Sequence, residues 1–384
     1  MPEATILVAT DLHYIAPTLT DHGAYYEDMI NSSDGKVMEY TEELTDAFLA
    51  EVIDRAPDAL ILSGDITFNG ARESHEALAE KLQTVTDAGI PVLVIPGNHD
   101  LENSSAAAFH GDGFTRVDSV TPAEFAGIWT GCGYGDARAR DRASLSYVYE
   151  LSPALRILML DVNTPDSKNT VKAETLAWVE AQLQDAAAAG AKVVAVSHQN
   201  VFKHNPVIYR NYVIENADEL LALYKKYGVL INLSGHLHCQ HIAHDDAGFY
   251  EIATSSLAVN PCQYGVLSLA GDALSYETKP VDVSAWAAAQ GLTDPNLLDF
   301  AAYAENYFLG SGRTLIDGSD PDAAALSRFF SELNLAYFAG RLDLVDANDP
   351  MFARWEDAFG FEGQYILAIR DEAGLDFTHL TLPY

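Results

Sequence analysis

Short, continuous apolar runs recur along this chain, and a polar block follows each of them. Residues 5–10 run into Asp11-Leu12-His13, and residues 59–62 into Gly64-Asp65. Residues 91–95 run into Gly97-Asn98-His99-Asp100, and residues 192–196 into Ser197-His198. Residues 229–233 run into Gly235-His236-Leu237-His238. Unbroken apolar runs of this length suit strands buried on both faces. Between them lie stretches with helical periodicity, at 37–55, 72–88, 172–189 and 215–227. Strand-helix alternation predicts an α/β fold with largely parallel sheets covered by helices. In such sheets the ligand site lies beyond the carboxyl ends of the strands, and all five polar blocks fall there.

Taken singly, the blocks have plain explanations. Asp11 suits a strand-end cap, Gly97-Asn98 a turn, and His198 a structural histidine. Five blocks in succession, supplying aspartates, an asparagine and several histidines, instead read as a ligand set for two metal ions. Imidazole and carboxylate donors suit Mn, Fe, Zn, Co or Ni better than Ca or Mg. Two metals held together suit hydrolysis of a phosphate ester.

In order and content the five blocks resemble those of the calcineurin-like metallophosphoesterase superfamily, over residues 4–280. Gly64-Asp65-Ile66-Thr67-Phe68-Asn69-Gly70 is similar to the second block of bacterial cyclic-nucleotide phosphodiesterase-like members. The resemblance implies two mixed β-sheets packed face to face with flanking helices. It implies that Asp11, His13 and His238 hold one metal, that Asn98, His198 and His236 hold the other, and that Asp65 bridges them. His99 would act on the phosphoryl group and the leaving oxygen, with Asp100 orienting its imidazole. The implied reaction is in-line attack on a phosphodiester, a cyclic nucleotide among the options, by metal-activated hydroxide. The same residues would serve a phosphomonoesterase, and some relatives with this fold are non-catalytic binding scaffolds. One departure is informative. Purple acid phosphatases continue the second block to a tyrosine that binds ferric iron, where this chain has Phe68.

Outside the blocks, residues 14–35, 102–142 and 202–212 read as irregular segments crowding the metal-bearing edge. They suggest Tyr14, His204 and Arg210 as substrate contacts. Gly131-Cys132-Gly133-Tyr134-Gly135 reads as a turn. His241 and His244 lie on a strand leaving the site, while His22, His75, His110 and His379 read as surface residues. After Val281 the pattern turns helical, at 283–290, 296–309, 321–339 and 349–359, with Asp320-Pro321 as a start signal and Gly340 as a stop. This divides the chain into a catalytic domain, 1–281, and a helical C-terminal domain, 282–384, which offers a surface for self-association.

Composition narrows the partners. With 56 Asp and Glu against 22 Lys and Arg, the net charge is −34. That excludes a nucleic-acid polymer, which needs a cationic path, and leaves a small-molecule phosphate ester as the expected substrate. Cys132, Cys239 and Cys262 show no paired spacing, as expected in a reducing compartment. No apolar run approaches the roughly 20 residues of a membrane span. The first strand begins at Thr5, which leaves no room for a signal peptide. The expected location is the cytoplasm, without membrane association.

Overall fold

A computed structural model describes residues 3–31, 35–167, 169–311, 321–358 and 360–383. Among these, six strands form one mixed sheet in the order His379–Pro383, Ala273–Pro280, Gln263–Ala270, Ala4–Ala9, Ala59–Leu62, Val92–Val94. Seven form a second, in the order His241–His244, Tyr250–Ala253, Asn232–Ser234, Lys192–Ser197, Leu155–Leu160, Tyr147–Ser152, Ala139–Arg140. The three block-bearing strands of the first sheet pair in parallel, with Val8 opposite Ile61 and Ile61 opposite Leu93. Lys192–Ser197 and Asn232–Ser234 are parallel neighbours in the second. Parallel pairing therefore carries the ends of all five strands to one edge.

Side-chain alternation along one strand shows how the sheets stack. Leu155, Ile157 and Met159 join the core formed with Ile6, Val8 and Leu62 of the first sheet. Leu158 and Leu160 face the other way, against Val179 and Leu183 of helix Ala173–Ala189 and Leu220 of helix Ala217–Tyr227. Strand periodicity of two thus builds two cores from one strand. A side chain also crosses the sandwich. Tyr147 Oη accepts from Val94 N at 2.9 Å and donates to Val94 O at 3.1 Å, satisfying backbone groups at the edge of the first sheet.

Helices Thr41–Arg55 and Arg72–Asp87 cover the first sheet, where periodicity placed them. The segments expected to be irregular are more ordered than their composition suggests. Residues 14–31 include helix Ala24–Asn31. Residues 102–142 include a hairpin, Ala107–His110 with Gly113–Arg116, and helix Pro122–Ile128. A full capping box starts that helix: Thr121 Oγ1 accepts from Glu124 N and the Glu124 carboxylate accepts from Thr121 N.

The C-terminal helices are Val283–Ala289, Pro295–Leu298, Phe300–Ser311, Ala323–Phe338, Met351–Ala358 and Gly360–Asp371. The single helix expected at 296–309 is broken at Asp299, whose φ is −136°. Asp320, read as a start signal, lies outside the described residues. Two features escaped the sequence reading. Helix Gly360–Asp371 follows the last expected helix, and the chain then returns to the first sheet as strand His379–Pro383, antiparallel to Ala273–Pro280. No described helix is long and apolar enough to cross a membrane.

The helical region also supports the fifth block. Leu237 and Cys239 are buried in its apolar cluster with Leu333, Tyr337, Trp355 and Ile366, while the flanking His236 and His238 face away from it. Replacing a buried leucine by alanine costs about 2–5 kcal/mol. Leu237→Ala should therefore destabilise the chain by that amount and weaken metal binding about 10-fold or more, as loss of a supporting contact does. Denaturant unfolding and a metal titration read the two effects. Unchanged metal affinity in a destabilised variant would show that the helical region does not hold the loop.

Candidate metal centre

The first and fifth blocks share one design. In Asp11-Leu12-His13 and His236-Leu237-His238 the outer residues turn toward a common point. The leucine between them packs into apolar surroundings, Leu12 in the inter-sheet core and Leu237 in the helical cluster. To turn this sharply, Asp11, His13, His236 and His238 adopt φ of 51°, 46°, 66° and 62°, and Asp65 adopts 44°. Non-glycine residues seldom take this left-handed conformation, and it costs on the order of 1–3 kcal/mol each. Five such residues at one point mark a site whose geometry is held by everything around it. Gly235 is required for clearance, because a Cβ there would run into Thr10 Oγ1 and the Asp11 carboxylate.

Ligand atoms converge in overlapping groups: Asp11, His13 and His238; Asp65, His198 and His236; and His13, Asp65 and His99. Within each, the donor atoms lie within 4.8 Å of one another. His238 Nε2 is 3.2 Å from Asp11 Oδ1 and 3.2 Å from His13 Nε2. His198 Nε2 is 3.3 Å from Asp65 Oδ2 and 3.2 Å from Asn98 Oδ1. The outer atoms are tied back. Asp11 Oδ2 accepts from Thr10 Oγ1 and His236 N, and Asp65 Oδ1 accepts from His99 N. His198 Nδ1 donates to Ser63 O at 2.9 Å, and His236 Nε2 donates to Asn211 O at 3.0 Å. Such bonds fix the tautomer and free the other ring nitrogen for a ligand.

The inner atoms fit a metal. Asp11 Oδ1 is buried without a hydrogen-bond partner, although three histidine Nε2 atoms, of His238, His13 and His198, lie 3.2, 3.9 and 4.0 Å away. A buried carboxylate oxygen in that state is costly. A cation among these donors satisfies it.

Electrostatics follow from burial and proximity. Burial alone would raise the Asp11 pKa, but His238 and His198 outweigh it and hold the carboxyl well below its usual range. Burial would likewise raise Asp65, and His198 and His99 hold it well below. Burial lowers the His13 pKa far below the usual value, and with His198 beside it lowers that of His236 to about 4. Burial opposes protonation of His198 as well, yet Asp65 and Asp11 raise its pKa to about 9.

Several expected roles change. Asp100 does not touch the His99 imidazole. Its carboxylate accepts from Gly97 N, Ile66 N, Thr67 N and Thr67 Oγ1, at 2.7–3.2 Å, clamping the second block to the third. His99 Nδ1 instead donates to Phe68 O at 2.8 Å, leaving Nε2 3.8 Å from Asp65 Oδ2. Tyr14 turns away from the centre and donates to Glu42 Oε2 at 2.6 Å. His204 is buried between His241 Nδ1, at 3.0 Å, and Glu251 Oε2, at 3.1 Å, which also accounts for His241. Neither the Tyr14 hydroxyl nor the His204 ring faces the metal-bearing edge as expected, because Glu42 holds the one and His241 and Glu251 the other. Arg210 is exposed, one residue before the Asn211 carbonyl that holds His236. His75, expected at the surface, is fully buried, with Nε2 3.0 Å from Asp100 O.

Two cavities adjoin the centre, and Asn98 lines both. One, of about 410 Å³, opens beside His99 between helix Ala24–Asn31 and the hairpin. The other, of about 290 Å³, opens beside His236 and is lined by Asn163, Thr164, Gln199 and Asn211. Asn163 and Gln199 exchange amide hydrogen bonds of 2.9 and 2.6 Å. The sequence reading missed both residues. Asn163 was within reach of it, because Leu155–Leu160 is another apolar strand ending in polar residues.

The family model for calcineurin-like phosphoesterases matches residues 4–240, more than half of the chain and all five blocks. The chain belongs to that family. Residues 282–376 match the model for the C-terminal domain of cyclic nucleotide phosphodiesterase. Glycerophosphodiester phosphodiesterase GpdQ of Enterobacter lignolyticus is 29% identical over 190 residues, spanning 47% of this chain and 56% of the relative. A "probable cyclic nucleotide phosphodiesterase" of Vesicomyosocius okutanii is 37% identical over 59 residues, 15% of this chain and 24% of that one. The chain therefore spans about half or less of the length of these relatives. Among solved structures, a dimetal phosphatase of Danio rerio superposes with a TM-score of 0.54 at 14% identity, covering 73% of this chain and 97% of that one. This likeness shows the shared fold.

Against burial, Asp65 and Asp11 favour a proton on His198 at neutral pH. Its pKa of about 9 lies above the ordinary 6.5. In the metal-free protein its contribution to stability is therefore full below about pH 6.5 and lost as pH rises through about 9. His13 and His236 are already neutral at pH 7. Metal loading at pH 7 should release at least about one proton per chain, since ligation requires the neutral ring. The share that comes from His198 should disappear as pH rises past about 9. Calorimetric titration in buffers of different ionisation enthalpy measures it. Release of none at pH 7 would place His198 outside the ligand set.

Proposed function

We propose that the chain is a dinuclear metal-dependent phosphodiesterase acting on small-molecule diesters. One observation carries the reading. Two separate cavities meet at Asn98, one at His99 and the other at His236. A diester brings two substituents on one phosphorus and needs a place for each. A monoester needs only one. A cyclic nucleotide carries both ester oxygens on one sugar and leaves the second cavity without a purpose. The arrangement thus favours acyclic diesters over both alternatives, and the family membership and the names of the relatives agree with phosphoester hydrolysis.

Asp11, His13 and His238 would hold one ion, Asn98, His198 and His236 the other, with Asp65 shared. Their donor types suit Mn, Fe, Zn, Co or Ni. When bound, the ions supply Lewis-acid charge for the phosphoryl oxygens and lower the pKa of the attacking water. The remaining work belongs to the chain. Asn98 stands where the two cavities join and fixes the phosphate between them. His99, anchored through Nδ1 to the Phe68 carbonyl, presents Nε2 toward the centre and gives a proton to the departing oxygen as its bond to phosphorus breaks. Asp100 holds the two loops that carry Asp65 and His99 in one register. Phe68 has no oxygen to donate to a metal.

With manganese added, bis(p-nitrophenyl) phosphate should turn over faster than p-nitrophenyl phosphate. Preference for the monoester would overturn the reading, and no turnover with any of the five metals would favour a binding scaffold. His99→Ala should keep its metals and lose about 10²–10⁴-fold in rate, the range for a removed acid-base group. The loss should shrink for a good leaving group, which needs no proton. Equal losses across leaving groups would limit His99 to positioning the phosphate.

A further inference from the structure

The cavity beside His99 has a composition unlike the rest of the chain. Tyr25 of helix Ala24–Asn31 lies against Phe109 and Phe114 of the hairpin, with ring centroids 6.2 and 5.5 Å apart. The Tyr25 and Phe109 rings are stacked and nearly parallel, at 14°. Phe68, from the second block, continues the wall 6.4 Å from Phe109. Phe114 is 46% exposed, one of the few large apolar side chains of the described residues left so open. The Arg116 guanidinium lies 4.9 Å from its ring centroid. Among the described lining residues there is one guanidinium and no carboxylate, in a chain with 56 Asp and Glu against 22 Lys and Arg. An aromatic wall with a single cation and no anion selects a flat ring attached to a negatively charged group. Rings gain from stacking whatever their substituents, and Arg116 can meet acceptor atoms on the ring edge.

Resting on the phosphodiesterase reading above, we propose that this cavity is the specificity site for one arm of the diester, and that the arm carries a planar aromatic ring stacked against Phe114 and Tyr25. The volume of about 410 Å³ lies within the range of small-molecule sites. Asn98 and His99 line the same cavity, so a ring placed there leaves its phosphate over the metal centre. The amide-lined cavity at His236 takes the other, hydroxylated or aliphatic, arm. Phe114 and Arg116 are specificity residues, and the chemical step does not pass through them.

The test uses the full manganese-loaded chain and three methyl phosphate diesters, of adenosine through its 5′ oxygen, of phenol and of glycerol. Phe114→Ala should lower kcat/KM for the aromatic diesters about 10-fold or more relative to the glycerol diester, the scale of one lost stacking partner. The change should lie mainly in KM. Phe114→Tyr, which keeps a ring, should restore the preference. Loss on both aromatic diesters means that any ring suffices, and loss on the adenosine diester alone means that a nucleobase is required. Either result supports the proposal. Equal loss on all three, or loss on none, overturns it. A second readout does not depend on turnover. Wild type should bind adenosine 5′-monophosphate at least about 10-fold more tightly than glycerol phosphate, and Phe114→Ala should erase the difference. If no diester is hydrolysed but this binding difference holds, the phosphodiesterase reading fails and the ring site stands. If diesters are hydrolysed without it, the ring site fails alone.

Discussion

Two carboxylates, Asp11 and Asp65, lie buried where the two sheets meet, and much of the surrounding structure serves to keep them charged there. An isolated buried carboxylate would take up a proton. Here histidines from the third, fourth and fifth blocks surround the pair and hold both pKa values down. Of these, His198 and His99 are oriented by the backbone carbonyls of Ser63 and Phe68, and the neighbouring His236 by that of Asn211. The left-handed conformations at five ligand positions are tolerated because strands, leucine anchors and carbonyls over-determine them. The proposed ions would finish this arrangement. They would replace the mutual repulsion of the two carboxylates, and that among the clustered imidazoles, by coordination.

The fold and the centre were legible in the sequence to different depths. Buried parallel strands write themselves as unbroken apolar runs, so Ala59–Leu62 was read to the residue and Lys192–Ser197 to within one. The antiparallel strands were less visible. Gln263–Ala270 mixes polar and small residues into a buried strand, Ala273–Pro280 alternates over its first half, and His379–Pro383 is short and sits at a sheet edge. Tertiary pairing, rather than composition, makes it a strand. Eight polar side chains of the five blocks, that of Asp100 not among them, come together because each block is pinned to a strand end. Side chains in the loops between blocks were harder. Tyr14 and His204 are close in sequence to the blocks, but Glu42 claims the Tyr14 hydroxyl, and His241 and Glu251 claim the His204 ring. Asp100 was expected beside the His99 ring, yet four loop donors claim its carboxylate. Nothing in a sequence shows which backbone N–H groups a carboxylate will meet.

The helical C-terminal region is part of the same arrangement. Leu237 and Cys239 anchor in its apolar cluster, and Tyr212, which packs against that cluster, places its ring 4.8 Å from His236. The neighbouring Gln240 donates through Nε2 to Phe377 O at 3.0 Å. A region without catalytic motifs thereby helps to position two candidate ligands, His236 and His238. Its contribution is rigidity where the strained His236-Leu237-His238 turn needs it. The strong negative charge fits the same economy. Around the proposed metal pair, Arg116 is the one guanidinium in the carboxylate-free lining of the cavity beside His99, so an anionic ester meets favourable charge there.

The central claim is that five strand-end blocks hold two ions around one shared carboxylate. Anomalous scattering at the manganese edge, from crystals of the loaded protein, tests it most directly. The account predicts two peaks about 3.5 Å apart, the spacing of such pairs, with Asp65 between them. One peak should lie against Asp11, His13 and His238, and the other against Asn98, His198 and His236. A single peak, or two peaks without Asp65 between them, would contradict it.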